Sequence, residues 1–525
     1  MWELAEAELA CAHCSIKRSG CYIYPINQSF DPDSDSHFFP GGVQITTEGF
    51  TALNIPFGNE SYADEVLEDI FLNQQTLQNE LLKLESTQAQ LIILRMCANA
   101  RVNYWNRLLD PFSQAKCKYL MKRDSAIIST FSQVLKNSTT FSDRKKRMQI
   151  HLSMKNSGIG LTASQNISHA AYYASTIVAA SDIWQRFQSF WFMPDQKEDM
   201  LKFQWILNAN KSWNLLQQLF SQHIQSHEIV NFDFQQFMSY VPQVEIDNED
   251  STETIKLPSI QHLLSAQIDL CKLDQLLSVV DENSKSRIFS ASGPGNAGFL
   301  TAIPTEQSLS MSNVQMVTAM RLRLGLPVIP AIETTQLCTC GNSLDLLGNH
   351  LILCKRGAEV SQRHNMLVQA WSRLIKKTTS AVSLAIERTL GSLGCNNATH
   401  AMKRVDIVQI SYAERTKLSD ISVIHPTSQN NQYRGAAAVF KEKEKIRKYG
   451  EAVSNMEMDF LPIAFETYGR IGETARKFVK NLIDQLIARM TNGGRDLGLQ
   501  NKLYYIWWST LSCALQKGNS GIVNY

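Results

Sequence analysis

The spacing of hydrophobic positions changes along the chain. Residues 1–60 show short runs typical of strands and turns, and residues 62–109 carry leucines at helical spacing until Pro111 stops the pattern. Helical spacing continues to about residue 235, and beyond residue 330 short strand-like runs alternate with helices. The pattern predicts an α-helical N-terminal two-thirds followed by an α/β region.

Two segments are predicted to connect these parts. Residues 245–254 are acidic and polar, which makes them the best linker candidate in the chain. Residues 290–298 are rich in Gly and Pro and are predicted to form a loop.

The segment Tyr62-Ala-Asp-Glu65 invites comparison with the Tyr-x-Asp-Asp turn, whose adjacent carboxylates hold the metal ions of polymerases. Its fourth residue is Glu, and no Asp-Asp pair occurs in the chain. We therefore interpret the segment as an acidic first turn of a helix, where the helix dipole favours carboxylates.

Composition excludes few functions. The 525 residues carry 51 Lys and Arg against 49 Asp and Glu, a net charge of +2, so any nucleic-acid signal must be local. No run of about 18 apolar residues is present, which predicts no membrane span. The eleven cysteines are expected to be thiols or metal ligands rather than a disulfide framework.

One group of cysteines has the spacing of a metal site. Cys338-Thr-Cys340 is followed by His350 and Cys354, three thiolates and an imidazole that suit tetrahedral Zn²⁺. One turn of helix presents His350 and Cys354 on the same face, and Gly341 permits a tight turn after Cys340. The first pair is spaced more tightly than usual. Buried free cysteines beside a core histidine are the alternative.

A second constellation lies downstream, where two predicted strands carry one carboxylate each, Asp406 and Asp420. The predicted strands cover residues 404–410, 418–424 and 459–467, and a basic helix covers residues 440–449. Buried carboxylates need a cation. Two carboxylates and a lysine are what a Mg²⁺-dependent phosphodiesterase requires, because the acids hold the metal and the lysine steadies an oxygen. The alternative is a pair of strand-end acids in surface salt bridges.

The basic helix favours one lysine for this site. At 100° per residue, one apolar stripe is formed by Val439, Ile446, Tyr449 and Val453. Lys445 lies at the edge of this stripe, whereas Lys448 lies on the opposite side and Lys441 lies further from it. Lys445 is therefore the lysine expected to reach the sheet.

Local basic clusters are candidates for phosphate contacts, which dominate the affinity of nucleic-acid binding. They are Arg144, Lys145, Lys146 and Arg147 in one cluster, and Lys441 and Lys448 of the basic helix in the other. Three tryptophans are candidates for base stacking, although such residues are more often part of a core. They are Trp371, Trp507 and Trp508.

The order of these motifs resembles the C-terminal half of non-LTR retrotransposon reverse transcriptases. The motifs are the Cys/His group, Arg363-His-Asn365, Arg404-Val-Asp406, the segment from Leu418 to Pro426, and Lys445-Ile-Arg-Lys-Tyr449. Upstream motifs resemble the same proteins at residues 48–58, 158–161, 169–175 and 321–327. The resemblance covers nearly the whole chain.

The resemblance implies a domain order, since in early-branching elements this half carries a zinc knuckle and a restriction-enzyme-like endonuclease of the PD-(D/E)XK class. The implied ranges are 1–60 for the end of the palm, 61–245 for thumb-like helices, 246–330 for a linker and helical region, 331–360 for the knuckle, and 361–525 for the endonuclease with C-terminal helices. The polymerase motifs would lie upstream of Met1, so we expect no polymerase activity from this chain.

The resemblance also implies site residues. The metal-binding acids map to Asp406 and Asp420, the lysine maps to Lys445, and Glu387 is a further acid of the same core. The family's Pro-Asp is Val405-Asp406 here, which keeps the carboxylate and loses a turn-restricting residue. Arg363 and His364 are expected to bind nucleic acid.

Three functional hypotheses follow. The first is a truncated retroelement protein with a Mg²⁺-dependent DNA endonuclease and a Zn²⁺ knuckle. It is expected in the nucleus, with DNA, element RNA and a separate polymerase chain as partners and no membrane association. The second is a non-catalytic nucleic-acid-binding remnant, and the third is a reading frame without a retained role.

Overall fold

The chain is mostly helical (64%), with a small sheet-containing C-terminal region, as the hydrophobic pattern predicts. The computed structural model describes residues 10–11, 17–24, 41–136, 141–187, 197–223, 260–330, 333, 337–354, 356, 358–379, 382–411, 415–428, 433–491, 494 and 496–524. The predicted linker at 245–254 lies outside these residues.

Interleaved segments form two compact units. The first unit comprises Met1–Asn79, Arg101–Ala126 and Ala163–Ile268, and the second comprises Glu80–Ala100, Ile127–Thr162 and Asp269–Tyr525. The five predicted domain ranges remain predictions.

The helices have the following bounds. They are α1 Glu60–Leu82, α2 Thr87–Ile93, α3 Val102–Leu108, α4 Gln114–Val134, α5 Arg144–His151, α6 Ser164–Phe187, α7 Gln204–His223, α8 Ile260–Val279, α9 Glu282–Ser290, α10 Gly298–Thr301, α11 Asn313–Leu324, α12 Asn349–Leu353, α13 Glu359–Thr378, α14 Ala398–Ala401, α15 Ala436–Ser454, α16 Glu473–Met490 and α17 Leu497–Val523. A π-helical segment, Leu94–Asn99, follows α2 directly, and 3₁₀ turns cover Arg18–Gly20, Lys197–Lys202, Gly391–Leu393 and Pro426–Ser428. None of the helices in the described segments is long and apolar enough to cross a membrane.

The first unit joins short strands to helices. Its strands are β1 Tyr22–Ile23, β2 Gln44–Ile45, β3 Gly49–Ala52 and β4 Ile55–Gly58, and β3 and β4 form an antiparallel hairpin. The side chain of Asn59 accepts the N–H of Tyr62 at 2.8 Å, which satisfies a free donor at the start of α1. The prediction that Tyr62-Ala-Asp-Glu65 begins a helix is therefore confirmed.

The C-terminal part of the second unit is built on a four-stranded sheet in the order β5-β6-β7-β8. Its strands are β5 Val382–Thr389, β6 Arg404–Ser411, β7 Lys417–Ile424 and β8 Asp459–Glu466. The first three strands are antiparallel neighbours, and β8 runs parallel to β7. A parallel pair needs a crossover connection, which here contains α15. The three predicted strands and the basic helix are confirmed.

Each face of this sheet buries a separate apolar cluster. On one face, α13, α16 and α17 pack through Trp371, Phe478 and Trp507 against Ile407 and Ile421 of the strands. The cluster on the other face includes, from α15 and the sheet, Tyr449, Val453, Val405, Val408 and Leu418. Because side chains alternate along β7, Leu418 and Asp420 share the face towards α15.

A glycine in α17 lets this helix approach α13 closely. A Cβ at Gly518 would lie 2.8 Å from the Cα of Arg363, whereas a Cβ at Gly521 would meet nothing within 4 Å. The Arg363 guanidinium also donates to Asn519 Oδ1 at 3.0 Å. The two helices are therefore fixed to each other at this point.

We expect Gly518→Ala to lower the free energy of unfolding by about 1–3 kcal/mol, because the backbone of α13 cannot move aside. Gly521→Ala is the matched control and should raise it by about 0.5–1 kcal/mol, since Ala is the better helix former. Urea unfolding of both variants measures the difference. Equal effects in the two variants would contradict the close packing of α13 on α17.

Candidate functional site

Four potential metal ligands converge in the second unit. The Sγ atoms of Cys338 and Cys354 are 3.7 Å apart, and Cys340 Sγ lies 3.2 Å from Nε2 of His350. All four ligand atoms lie within 4.8 Å of one another. Two sulfurs bound to one tetrahedral Zn²⁺ lie about 3.8 Å apart, given Zn–S bonds of about 2.3 Å. The group can hold a metal ion such as zinc.

Local turns explain why these ligands meet. Gly341 has a φ of +88° and donates its N–H to Cys338 O at 2.7 Å, closing the tight turn that the sequence predicts. Asp345 accepts the N–H groups of Asn349 and His350 at 3.1 and 2.7 Å, which caps the start of α12. His350 lies in α12, and Cys354 follows its last residue.

The thiol of Cys338 is disposed to ionise. Hydrogen bonds from the Cys340 backbone and the His350 side chain lower its pKa to about 6. The thiolate is the form that binds metal, so this shift favours metal binding by Cys338.

The Cys/His group packs against the ends of two strands. Tyr468, which follows β8, donates its hydroxyl to Asn349 Oδ1 at 2.9 Å. His425, which follows β7, has its Nε2 3.2 Å from the same hydroxyl, and burial lowers the pKa of His425 to about 4. Ile352 of α12 packs into the cluster that holds Ile522 of α17. The turn that carries the candidate metal ligands is therefore packed against β7, β8 and α17.

A second group of polar residues lies where β6 separates from β7. The paired residues of these strands begin at Gln409 and Lys417 and end at Ile407 and Ser419. Beyond that pair, the N–H of Ile421 donates to Oδ2 of Asp406 at 2.5 Å. The Asp406 carboxylate thus accepts the hydrogen bond that a backbone carbonyl of β6 would accept if the two strands stayed paired.

Asp420 faces the crossover helix from the neighbouring strand. Nζ of Lys445 lies 2.5 Å from Asp420 Oδ2, and the Asp420 side chain is only 6% exposed. Burial raises the pKa of Asp420, the nearby Lys445 opposes that shift, and the negative charge of Asp406 adds to it. A cation beside the carboxylate offsets the cost of burying its charge.

Tyr449 lies beneath the lysines of α15. Its ring centroid is 5.8 Å from Nζ of Lys445 and 4.6 Å from Nζ of Lys448, and its hydroxyl donates to Arg404 O at 2.8 Å. Burial raises the pKa of Tyr449, so it stays neutral beside Asp420. Lys441 instead pairs with Glu444 at 2.8 Å on the same helix.

His364 of α13 completes the group. Its Nε2 lies 3.2 Å from Oδ1 of Asp406, and the hydrogen bond with Asp406 raises the pKa of His364. The structure therefore brings Asp406, Asp420, Lys445 and His364 together. Glu387 lies opposite Asp406 in the β5–β6 register, where the pairing skips both residues and the φ of Glu387 is +52°. Its side chain is exposed and pairs with Arg404 at 3.0 Å.

Several predicted nucleic-acid contacts are engaged inside the protein. Arg363 is 4% exposed and paired with Asn519, because α17 covers that side of α13. Lys146 donates to Leu324 O and Gly325 O, both at 2.8 Å, and burial lowers its pKa to about 8. Because Arg363 is buried, the expectation that its side chain meets nucleic acid is corrected. Lys146 is half-buried, and its contact with nucleic acid stays a prediction.

The tryptophans also belong mainly to the core. Trp371 and Trp507 are 0% and 1% exposed, and their rings meet edge to face at 5.4 Å between centroids. Trp508 packs beside the same cluster and stacks on Tyr504. Trp371 and Trp507 are therefore core residues, and the hypothesis that they stack on bases is wrong. Arg144, Lys145 and Arg147 of α5 are exposed, as is Lys448.

Two roles escaped the sequence reasoning. Asp345 accepts the first N–H groups of α12, and the sequence does not indicate this role because two leucines separate it from the N-cap residue Gly348. His364 was predicted to contact nucleic acid, and no sequence pattern links it to Asp406, 42 residues away.

No family model matches the chain, and no curated protein sequence matches it.

We expect one zinc ion per chain when the protein is prepared in zinc-containing medium. Cys340→Ser should lose that ion, because serine oxygen is a poorer Zn²⁺ ligand than thiolate. Cys97→Ser, at an exposed cysteine of the same unit, is the matched control and should keep it. Metal content by atomic absorption measures both. If Cys340→Ser kept its zinc ion as Cys97→Ser does, the Cys/His group would not be the zinc site.

Proposed function

We propose that this chain is a retroelement-derived protein whose C-terminal region is a metal-dependent DNA endonuclease. The single observation that carries the proposal is the approach of Asp420 to Lys445 beside Asp406, at the split between β6 and β7. Two carboxylates on neighbouring strands with a lysine from the crossover helix form a group suited to phosphodiester hydrolysis.

Asp406 and Asp420 are the residues that would hold Mg²⁺, since this ion prefers oxygen ligands and often keeps several waters with one or two carboxylates. Among the residues that the structure describes, only the Cys/His group brings three or more His, Cys, Asp or Glu ligand atoms within 4.8 Å of one another. The acid pair alone offers fewer protein ligands. A cation at the acid pair would therefore retain open positions for water and a phosphate oxygen. It would supply charge neutralisation and an activated water.

Lys445 has a defined part in this proposal. Its Nζ already touches Asp420, so it can move a short distance to steady an oxygen of the scissile phosphate once a cation neutralises that carboxylate. Its side chain is 15% exposed, which leaves the amine within reach of a backbone lying over the site.

The remaining parts of the proposal rest on the resemblance to non-LTR retrotransposon proteins. The Cys/His group would be their zinc knuckle, and the sheet with its helices would be the restriction-enzyme-like domain. The chain would act in the nucleus on target DNA, with element RNA and a polymerase chain as further partners.

We expect purified protein to nick supercoiled plasmid with Mg²⁺ and not with EDTA. Asp406→Ala and Asp420→Ala should each lower the rate at least about 100-fold, because each removes a metal ligand. Asp459→Ala, at the first residue of β8, is the matched carboxylate control and should nick normally. Gel electrophoresis of plasmid forms measures the rates, and thermal unfolding checks the fold of each variant. Unchanged nicking by Asp420→Ala would refute the proposal.

The second candidate is a nucleic-acid-binding remnant without cleavage. It is favoured by the exposed basic residues of α5, and by the ion pair that already occupies one of the two acids, Asp420, with Lys445. This candidate predicts binding that weakens with salt and no metal-dependent cleavage.

Removing the charges of Arg144, Lys145 and Arg147 together should weaken binding to duplex DNA at low salt. The slope of log affinity against log salt should fall by about three, since each phosphate contact contributes about one unit. Lys83→Ala, an exposed lysine of the same unit, is the control and should change little. Fluorescence anisotropy at several salt concentrations measures the slope. An unchanged slope in the triple variant would remove α5 from the interface.

A further inference from the structure

His364 and Asp406 form the most specific contact in the acid group. Nε2 of His364 lies 3.2 Å from Oδ1 of Asp406, and the N–H of Ile421 donates a hydrogen bond to Oδ2 of the same carboxylate. An ionised carboxylate can only accept hydrogen bonds, so the imidazole must donate. Asp406 is therefore held at both oxygens, once by α13 and once by β7.

Helix α13 presents His364 from a rigid support. Arg363, the preceding residue, is buried and bonded to Asn519 of α17. Leu367, one turn further on, is fully buried, and Trp371 packs against Trp507. The packing of α13 on α17 thus fixes the backbone that carries His364, and the contact with Asp406 orients its imidazole.

The side chains of His364 and Asp406 are both partly exposed. The side chain of Asp406 is 17% exposed and that of His364 is 33% exposed, so both keep some contact with solvent. His364 also lies near both negative charges, Asp406 and Asp420, and near the positive Lys445. The direct contact of His364 with Asp406 suits this histidine to orienting that carboxylate.

We propose that His364 is a positioning residue, which holds the carboxylate of Asp406 in the orientation that receives a divalent cation. This inference rests on the proposed function, because it assigns His364 to the same acid pair. It replaces the expectation that His364 binds nucleic acid. Partners that fix a ligating carboxylate commonly affect metal affinity roughly 10–100-fold when removed.

The test uses Mn²⁺ as the probe and the full, zinc-loaded chain. Electron paramagnetic resonance measures bound Mn²⁺ in wild type, His364→Ala and His364→Gln, and the double variant Asp406→Ala/Asp420→Ala defines the background. We expect His364→Ala to weaken Mn²⁺ binding roughly 10–100-fold. His364→Gln retains an amide donor and should bind within a few-fold of wild type.

Two controls separate positioning from other roles. His400→Ala changes a histidine that contacts Lys403 instead of the acid pair, and it should bind Mn²⁺ as wild type does. Affinity for duplex DNA in EDTA should be the same in wild type and His364→Ala. If His364→Ala fails to fold, the shorter amide of His364→Asn serves as the second variant without the contact.

The outcomes are distinct. Unchanged Mn²⁺ affinity in His364→Ala overturns the positioning role, and weaker DNA binding in EDTA would return His364 to the nucleic-acid interface. A wild-type chain whose Mn²⁺ binding equals that of the double aspartate variant overturns the proposed function itself. Weaker Mn²⁺ binding with rescue by glutamine supports the inference.

Discussion

The carboxylate of Asp406 stands where a strand carbonyl would otherwise complete the sheet. Because Oδ2 accepts the N–H of Ile421, the two strands can separate after Ile407 without leaving that donor unpaired. The separation turns Asp406 towards α13 and leaves Asp420 facing α15. Asp406 can therefore contact both β7, through Oδ2, and His364 of α13, through Oδ1.

Two helices convert the split into a defined site. The crossover that a parallel strand requires carries Lys445 to Asp420, and the packing of α13 on α17 carries His364 to Asp406. The Cys/His group is held at the far ends of β7 and β8 through Tyr468 and Asn349. Metal bound there would stabilise the loops after both strands, since ligand binding to the folded state adds to its stability.

Sequence reasoning located the elements of this region well because local periodicity determines them. The alternation in β7 is enough to put Leu418 and Asp420 on one face, and the helical period of α15 selects Lys445 over Lys441. The predicted apolar stripe of α15 is partly wrong, because Ile446 is 51% exposed. Lys448, predicted on the opposite side, lies 4.6 Å from the Tyr449 ring. The Cys/His group was equally accessible, since its ligands lie within 17 residues. Composition and charge could not distinguish exposed from buried cations, which is why Arg363 was assigned to a nucleic-acid surface although it is buried. Long-range contacts such as that of His364 with Asp406 depend on tertiary packing and have no local signature.

The central claim is that Asp406 and Asp420 together hold a divalent cation. Crystals of the zinc-loaded protein soaked in MnCl₂ and measured on the two sides of the manganese absorption edge would test it directly. The account predicts an anomalous peak within coordination distance of both carboxylates, with Nζ of Lys445 displaced from Asp420. The proposal would be contradicted by a map with no peak between Asp406 and Asp420 and with Lys445 still paired with Asp420. Well-occupied manganese at other sites would show that the soak had worked.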